Sequence, residues 1–229
     1  MPTHLIKAVP EPVEIDPSRT ALVVIDMQNA FGSEGGMFDK AGIDITGIQE
    51  AVPATAAAVE GARRAGIKVV WIKMGFQPDL SYLGAEDVPN GFLFLHLGLK
   101  DGVVLARDQW GTDIVDELTP EDGEPVIYKT RFSAFYRTDL DELLRSYGAK
   151  HLIITGCTTS ICVESTIRDA FFRDYHCILL EDCAAEPMGR NLSRSNHEAT
   201  VLLVERIFGS VSSPTEFINA VQPTGALTA

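Results

Sequence analysis

The sequence predicts a doubly wound α/β fold, a parallel sheet with helices on both faces. Two observations carry this. Short β-branched runs such as TALVVID (Thr20 to Asp26) and IKVVWIKM (Ile67 to Met74) lack polar alternation, so they read as strands buried on both faces. They alternate with segments whose apolar residues recur at helical spacing. No break in composition divides the 229 residues, which therefore read as one domain.

Taken in order, residues 1–19 form an arm, expected along the surface or on a neighbouring subunit; 20–220 form the domain and 221–229 a flexible tail. The arm has neither the basic start nor the continuous apolar core of a signal peptide. Thr20 to Asp26 is the first strand and ends on a carboxylate. An aspartate there commonly caps a turn, and Asp26 could equally project into a site at the sheet's carboxyl edge. The glycines from Gly32 to Gly36 match neither phosphate-binding spacing. Ile48 to Ala65 reads as a helix stopped at Gly66, and Ile67 to Met74 as the next strand, parallel to the first by the right-handed crossover rule. Gly75 to Gly111 is a long loop, rich in Gly, Pro and Asp, of the kind that is more often functional than idle. The aromatics Trp71, Phe76, Tyr82, Phe92, Phe94 and Trp110 are candidates for core, interface or pocket.

Thr112 to Leu118 is expected as a short helix and Pro125 to Lys129 as a third strand that ends on a lysine. Leu140 to Tyr147 is a helix stopped by Gly148, and Lys150 to Thr155 a strand. A helix then runs to about Asp174, His176 to Glu181 is a strand, Leu192 to Arg206 a helix and Ile207 to Val211 a closing strand. The count is about five or six strands.

The stretch TGCTTSICVESTIRD, Thr155 to Asp169, organises the rest. A strand, a turn permitted by Gly156 and a helix meet there, with Thr158, Thr159 and Ser160 as N-cap candidates. Cys162 then falls in the first helical turn, where free N–H groups and the helix dipole favour an anion such as a thiolate. A lone cysteine is also an ordinary core residue. Asp26, Lys129 and Cys162 all stand at or just beyond carboxyl ends of strands, and an acid, a cation and a thiol compose a nucleophilic site. Asp26 would accept the thiol proton and Lys129 would stabilise the thiolate. No histidine stands at the carboxyl edge of a predicted strand: His4 is in the arm, His96 in the long loop, His151 and His176 at strand starts, and His197 on the late helix.

A net charge of −13 without a basic run argues against nucleic acid as a partner. No apolar run is long enough to span a bilayer. Cys157, Cys162, Cys177 and Cys183 form no Cys-x-x-Cys pair, which fits reduced thiols in a cytoplasmic enzyme better than a zinc site or disulfide framework.

ALVVIDMQNAF, YKTRFSAF and GCTTSICVESTIRDAFF, in this order and spacing, resemble the isochorismatase-like cysteine hydrolases over about Thr20 to Val211. The resemblance implies a six-stranded parallel sheet, a catalytic triad of Asp26, Lys129 and Cys162, and a cis Cys157–Thr158 peptide. It also implies an oxyanion hole from the backbone N–H groups of Thr158 and Cys162. Within the family, the GGMFDKAGID loop, KTRFSAFYRTDL and CVESTIRDAFFRDY are most similar to the ureidoacrylate amidohydrolases of pyrimidine degradation. Biuret hydrolases share TDL and LLEDC but carry a glutamine where this chain reads LVERI, Leu203 to Ile207. The metal motif of nicotinamidase relatives is replaced by Gly75-Phe76-Gln77-Pro78-Asp79, so the resemblance implies no metal and no cofactor. The implied activity is hydrolysis of a small amide or ureide through a covalent thioester. Gln28, Asn29, Phe31, Trp71, Arg131 and Phe135 are the expected pocket walls, with Arg131 facing a substrate carboxylate or forming a surface ion pair. A homo-oligomer, dimer or tetramer, is expected from the arm and the apolar loop. A non-catalytic thiol sensor on the same fold is the alternative from another class.

Overall fold

The computed structural model describes residues 3–77, 84–85, 88–89 and 105–222. Tyr82, Phe92, Phe94, His96 and the expected tail from 223 onward lie outside the described residues.

The expected arm is an antiparallel hairpin of β1 (His4–Ile6) and β2 (Val13–Ile15). Its Ile6 and Ile15 are buried in the core and Val9 bridges to Val211, so the arm packs on its own domain. The strands β3 (Thr20–Ile25) and β4 (Lys68–Met74) follow, then the short antiparallel pair β5 (Gly84–Ala85) and β6 (Val88–Pro89). Next come β7 (Val126–Lys129), β8 (His151–Cys157), β9 (His176–Ala185) and β10 (Gly209–Ser212). Six of these form one sheet in the order β10–β9–β8–β3–β4–β7, with every neighbouring pair parallel. The chain winds outward from β3 through β4 to β7, then returns to the other side of β3 with β8. Strand order therefore reverses between β3 and β8, and the crevice at their carboxyl ends is where such sheets place ligands.

Each face of the sheet carries its own core. On one face the helix Thr46–Arg64 buries Ile48, Ala51, Val52, Ala58, Val59 and Ala62 at helical spacing, beside Phe217 and Val221 of the helix Pro214–Val221. On the other, Leu140 and Leu144 of the helix Leu140–Ser146 pack with Val163, Ile167 and Ala170 from the segment after β8. β3 is buried at every position, as its unbroken apolar run requires.

Several elements differ from expectation. Thr112 to Leu118 is not a helix: a 3₁₀ turn covers Trp110–Thr112, and the rest lies against the loop after β3. There the Val115 N–H donates to the Met27 carbonyl, the Asn29 N–H donates to the Asp113 carbonyl, and Ile114 bridges to Gln28. Tertiary pairing has overridden local helix preference. β9 runs four residues past Glu181 because, beyond a register shift, Ala184 and Ala185 pair with Gly156 and Cys157 of β8. The late helix begins only at Asn196, where Ser195 and Glu198 form a reciprocal capping box, and it passes into a π-type turn at Val204–Phe208. Beyond β10 a further helix, Pro214–Val221, closes the domain, with the Ser213 hydroxyl accepting from the Glu216 N–H and proline at its start.

Candidate active site

Asp26 follows β3 directly, with φ 54°, in the left-handed region that aspartate tolerates better than most side chains. Its N–H donates to the Ile72 carbonyl at 2.9 Å and its carbonyl accepts from the Gln28 N–H at 2.8 Å, so the strained residue is held from both sides. Across the crevice β8 comes unusually near. A Cβ added at Gly156, where φ is 123°, would stand 2.0 Å from the Ile25 carbonyl oxygen, so only glycine permits this approach. The next residue, Cys157, donates from its thiol to the Asp26 carbonyl at 3.0 Å. The Cys157–Thr158 peptide is cis.

Cys162 does not lie in an α-helical first turn. Thr159–Val163 is a π-type turn, in which the Val163 N–H reaches back to the Thr158 carbonyl at 3.2 Å, and the α-helix begins at Glu164. Such turns gather at functional sites because they displace one side chain from the regular helical path. Thr158 occupies the N-cap position but caps with no side-chain hydrogen bond.

Lys129, at the end of β7, spans the gap. Its Nζ is 2.6 Å from Asp26 Oδ2, donates to Cys162 Sγ at 3.3 Å, and donates to the Arg131 carbonyl at 3.2 Å. Lys129 and Asp26 are 0% and 1% exposed and Cys162 is 6% exposed. The Lys129–Asp26 contact is an ion pair between two buried groups. Two opposite charges removed from water persist only because they neutralise one another.

Burial is the largest single influence on each of the three groups. It raises Asp26 above the ordinary carboxylate value, against the pull of Lys129. It works to lower Lys129, but the anions around it prevail and the ammonium is held more firmly than usual. It pushes the Cys162 thiol up to about 12, with Asp26 adding to the rise and Lys129 opposing it. The direction is opposite to the thiolate that a helix start alone favours, with burial as the largest cause. Transfer of the proton from sulfur to the Asp26 carboxylate is a different matter. It leaves the summed charge of the three groups unchanged, with one anion beside Lys129 before and after.

Asp26, Cys157, Thr158 and Cys162 form the polar wall of a narrow cavity of about 30 Å³. Its other walls are Phe31, Met37, Phe38, Met74, Leu105, Phe132 and Ile161. Of the six walls expected from sequence, Phe31 lines this cavity. Gln28 is wholly buried, with Nε2 donating to the Met74 and Thr112 carbonyls and Oε1 accepting from the Met74 N–H. Asn29 donates to the Trp110 carbonyl and accepts from the Ser33 hydroxyl. Trp71 is in the core, its indole N–H donating to Glu124 Oε2 at 2.7 Å. Phe135 stacks on Tyr175, and Arg131 donates to the Thr130 carbonyl with its guanidinium over the Tyr136 ring. Phe132, Met37 and Phe38 escaped the sequence reading. An apolar residue beside a candidate lysine or in a glycine-rich loop carries no periodic signal that distinguishes it.

Among the described residues no group of three or more His, Cys, Asp or Glu is placed to hold a metal ion, and no helix is long and apolar enough to cross a membrane. All four cysteines are buried and unpaired.

The chain is similar to known proteins over nearly its whole length. The isochorismatase domain matches residues 20–213. The ureidoacrylate amidohydrolase RutB of Enterobacter sp. (strain 638) is 39% identical over 224 residues, covering 95% of this chain and 96% of that protein. RutB of Agrobacterium fabrum is 36% identical, covering 97% and 99%. Among solved structures, a cysteine hydrolase from Pseudomonas syringae pv. phaseolicola 1448A shares the fold at a TM-score of 0.79 and 24% identity, covering 96% of this chain and 97% of its own. N-carbamoylsarcosine amidase from Thermoplasma acidophilum superposes at a TM-score of 0.65 and 25% identity, covering 86% and 96%.

Proposed function

The chain belongs to the isochorismatase-like cysteine hydrolase family, and from that premise we propose that it is an amidohydrolase that cleaves a C–N bond of a small ureido compound of the ureidoacrylate type. One observation carries the reading. A buried thiol and carboxylate line one cavity, and the Lys129 ammonium stands within 3.3 Å of Cys162 Sγ and 2.6 Å from Asp26 Oδ2. The substrate class rests on the likeness to RutB proteins over nearly the whole length of both chains.

In this mechanism Asp26 takes the Cys162 proton as the sulfur attacks the ureido carbonyl carbon. The N–H groups of Thr158 and Cys162 hold the oxyanion of the tetrahedral intermediate. Asp26 then delivers the proton to the leaving nitrogen, the C–N bond breaks, and an aminoacrylate departs from an S-carbamoyl enzyme. Water, deprotonated by Asp26, attacks the thioester carbon; carbamate leaves, and the proton returns to sulfur. Carbamate decays to ammonia and carbon dioxide. Lys129 stays charged throughout and balances whichever partner holds the negative charge.

Ammonia release from ureidoacrylate and from biuret, at equal concentration, tests this with the protein and its Cys162→Ala variant. Release from ureidoacrylate that vanishes in the variant supports the reading. Preference for biuret moves the substrate to small carbamoyl ureas, and turnover that survives in the variant sinks the mechanism.

A further inference from the structure

Glu186 stands just past the end of β9 and is 5% exposed. Its Oε2 accepts from the Ser160 N–H at 3.0 Å and from the Ser160 hydroxyl at 2.5 Å, while Oε1 accepts from the Met188 N–H at 3.0 Å. Ser160 lies in the π-type turn, two residues before Cys162. Thr158 caps this turn with no side-chain bond, and a first-turn N–H is satisfied instead by a carboxylate from the segment just past β9. The turn is also tied from a second direction, through Thr159 Oγ1 and His197 Nδ1 at 2.9 Å.

We propose that Glu186 is a positioning residue for the nucleophile, its carboxylate clamping the turn that presents Cys162 to Asp26 and Lys129. It acts through Ser160 and not on substrate: Glu186 lines a separate cavity of about 640 Å³ with Glu50, Asp182, Arg190 and His197, and not the one beside Cys162. Its chemistry is specific. Three donors converge on it, and only a carboxylate offers acceptors on both sides. A glutamine there keeps one acceptor oxygen and turns an NH₂ group against either the Ser160 or the Met188 N–H. A clamp matters because the π-type turn has little regular helix around it, with α-helix only from Glu164 onward. Small errors of placement at a reacting atom are costly in rate.

The kinetic consequence rests on the amidohydrolase reading, while the geometric one does not, and the experiment separates them. Glu186→Gln and Ser160→Ala are compared with the parent protein by kcat and KM for ammonia release, by the iodoacetamide alkylation rate of Cys162 read by mass spectrometry, and by thermal melts. The expected result for Glu186→Gln is kcat down about tenfold or more with KM within about threefold, and an altered Cys162 alkylation rate. Ser160→Ala, which keeps the N–H bond, loses about threefold in kcat. Folded variants with parental kcat and alkylation rate overturn the proposal, and so does a kcat loss that only tracks the fraction unfolded. If Glu186→Gln fails to fold, Ser160→Ala decides, and an unchanged kcat there overturns it. If the parent protein turns over no ureide, the alkylation rates alone decide on Glu186 and the activity reading fails separately.

Discussion

The α-carbon of Gly156 lies so close to Ile25 that a methyl group on it would stand 2.0 Å from the Ile25 carbonyl oxygen. This contact joins the ends of β8 and β3, and Asp26 and Cys157 are the next residues on each strand.

Gly156→Ala is therefore expected to be severe. The clash falls on backbone, which cannot yield as a side-chain tip can, and φ of 123° is itself unfavourable for alanine. A loss of about 3 kcal/mol or more is expected in urea unfolding, together with a changed Cys162 alkylation rate. A variant with parental stability would show that the strands do not approach so closely.

Lys129→Met leaves the Asp26 carboxylate buried without its cation. The expected cost is about 3–5 kcal/mol, and the double variant Asp26→Asn/Lys129→Met should recover most of it, because neutral groups need no counter-charge. Urea midpoints for the two single variants and the double variant measure the coupling. Additive losses would contradict a buried ion pair.

Alkylation of Cys162 is expected to change little between pH 6 and 9. With the thiol raised to about 12, the reactive anion in this range arises by proton transfer to Asp26, which takes up no proton from solvent. Asp26→Asn removes both the acceptor and the repulsion, leaving Lys129 beside the sulfur. Cys162 should then titrate below its native value, and the rate should climb with pH. A tenfold rise per pH unit in the parent protein would refute the internal transfer.

Stability should fall on the alkaline side. Burial pushes the Cys177 thiol from 9.0 to about 12, so the folded state holds a proton that the unfolded chain releases. A folded value above the unfolded one means that this contribution is complete below about pH 9 and is lost as pH rises toward 12. At about 1.4 kcal/mol per pH unit the upper bound is about 4 kcal/mol. Urea midpoints at pH 8 and pH 11 under reducing conditions should show a shallower decline in Cys177→Ala; an equal decline removes Cys177 as the cause.

The local signals determined much by themselves. Runs such as Thr20 to Ile25 marked buried strands, and their ends marked Asp26, Lys129 and the stretch around Cys162, because the end of a strand is a property of neighbouring residues along the chain. The helix Pro214–Val221 is also legible in Ser213, Pro214 and Glu216. Only the tertiary structure decided the rest. That β7 lies two strands from β3, so that Lys129 reaches both Asp26 and Cys162, depends on strand order. The pairing of Ile114 with Gln28, which displaced an expected helix, and the reach of Glu186 to Ser160 are contacts between distant residues with no periodic trace. Burial likewise belongs to the packed molecule. Local pattern placed Cys162 near the start of a helix, but burial in the surrounding core, which leaves no trace along the chain, raises its proton affinity.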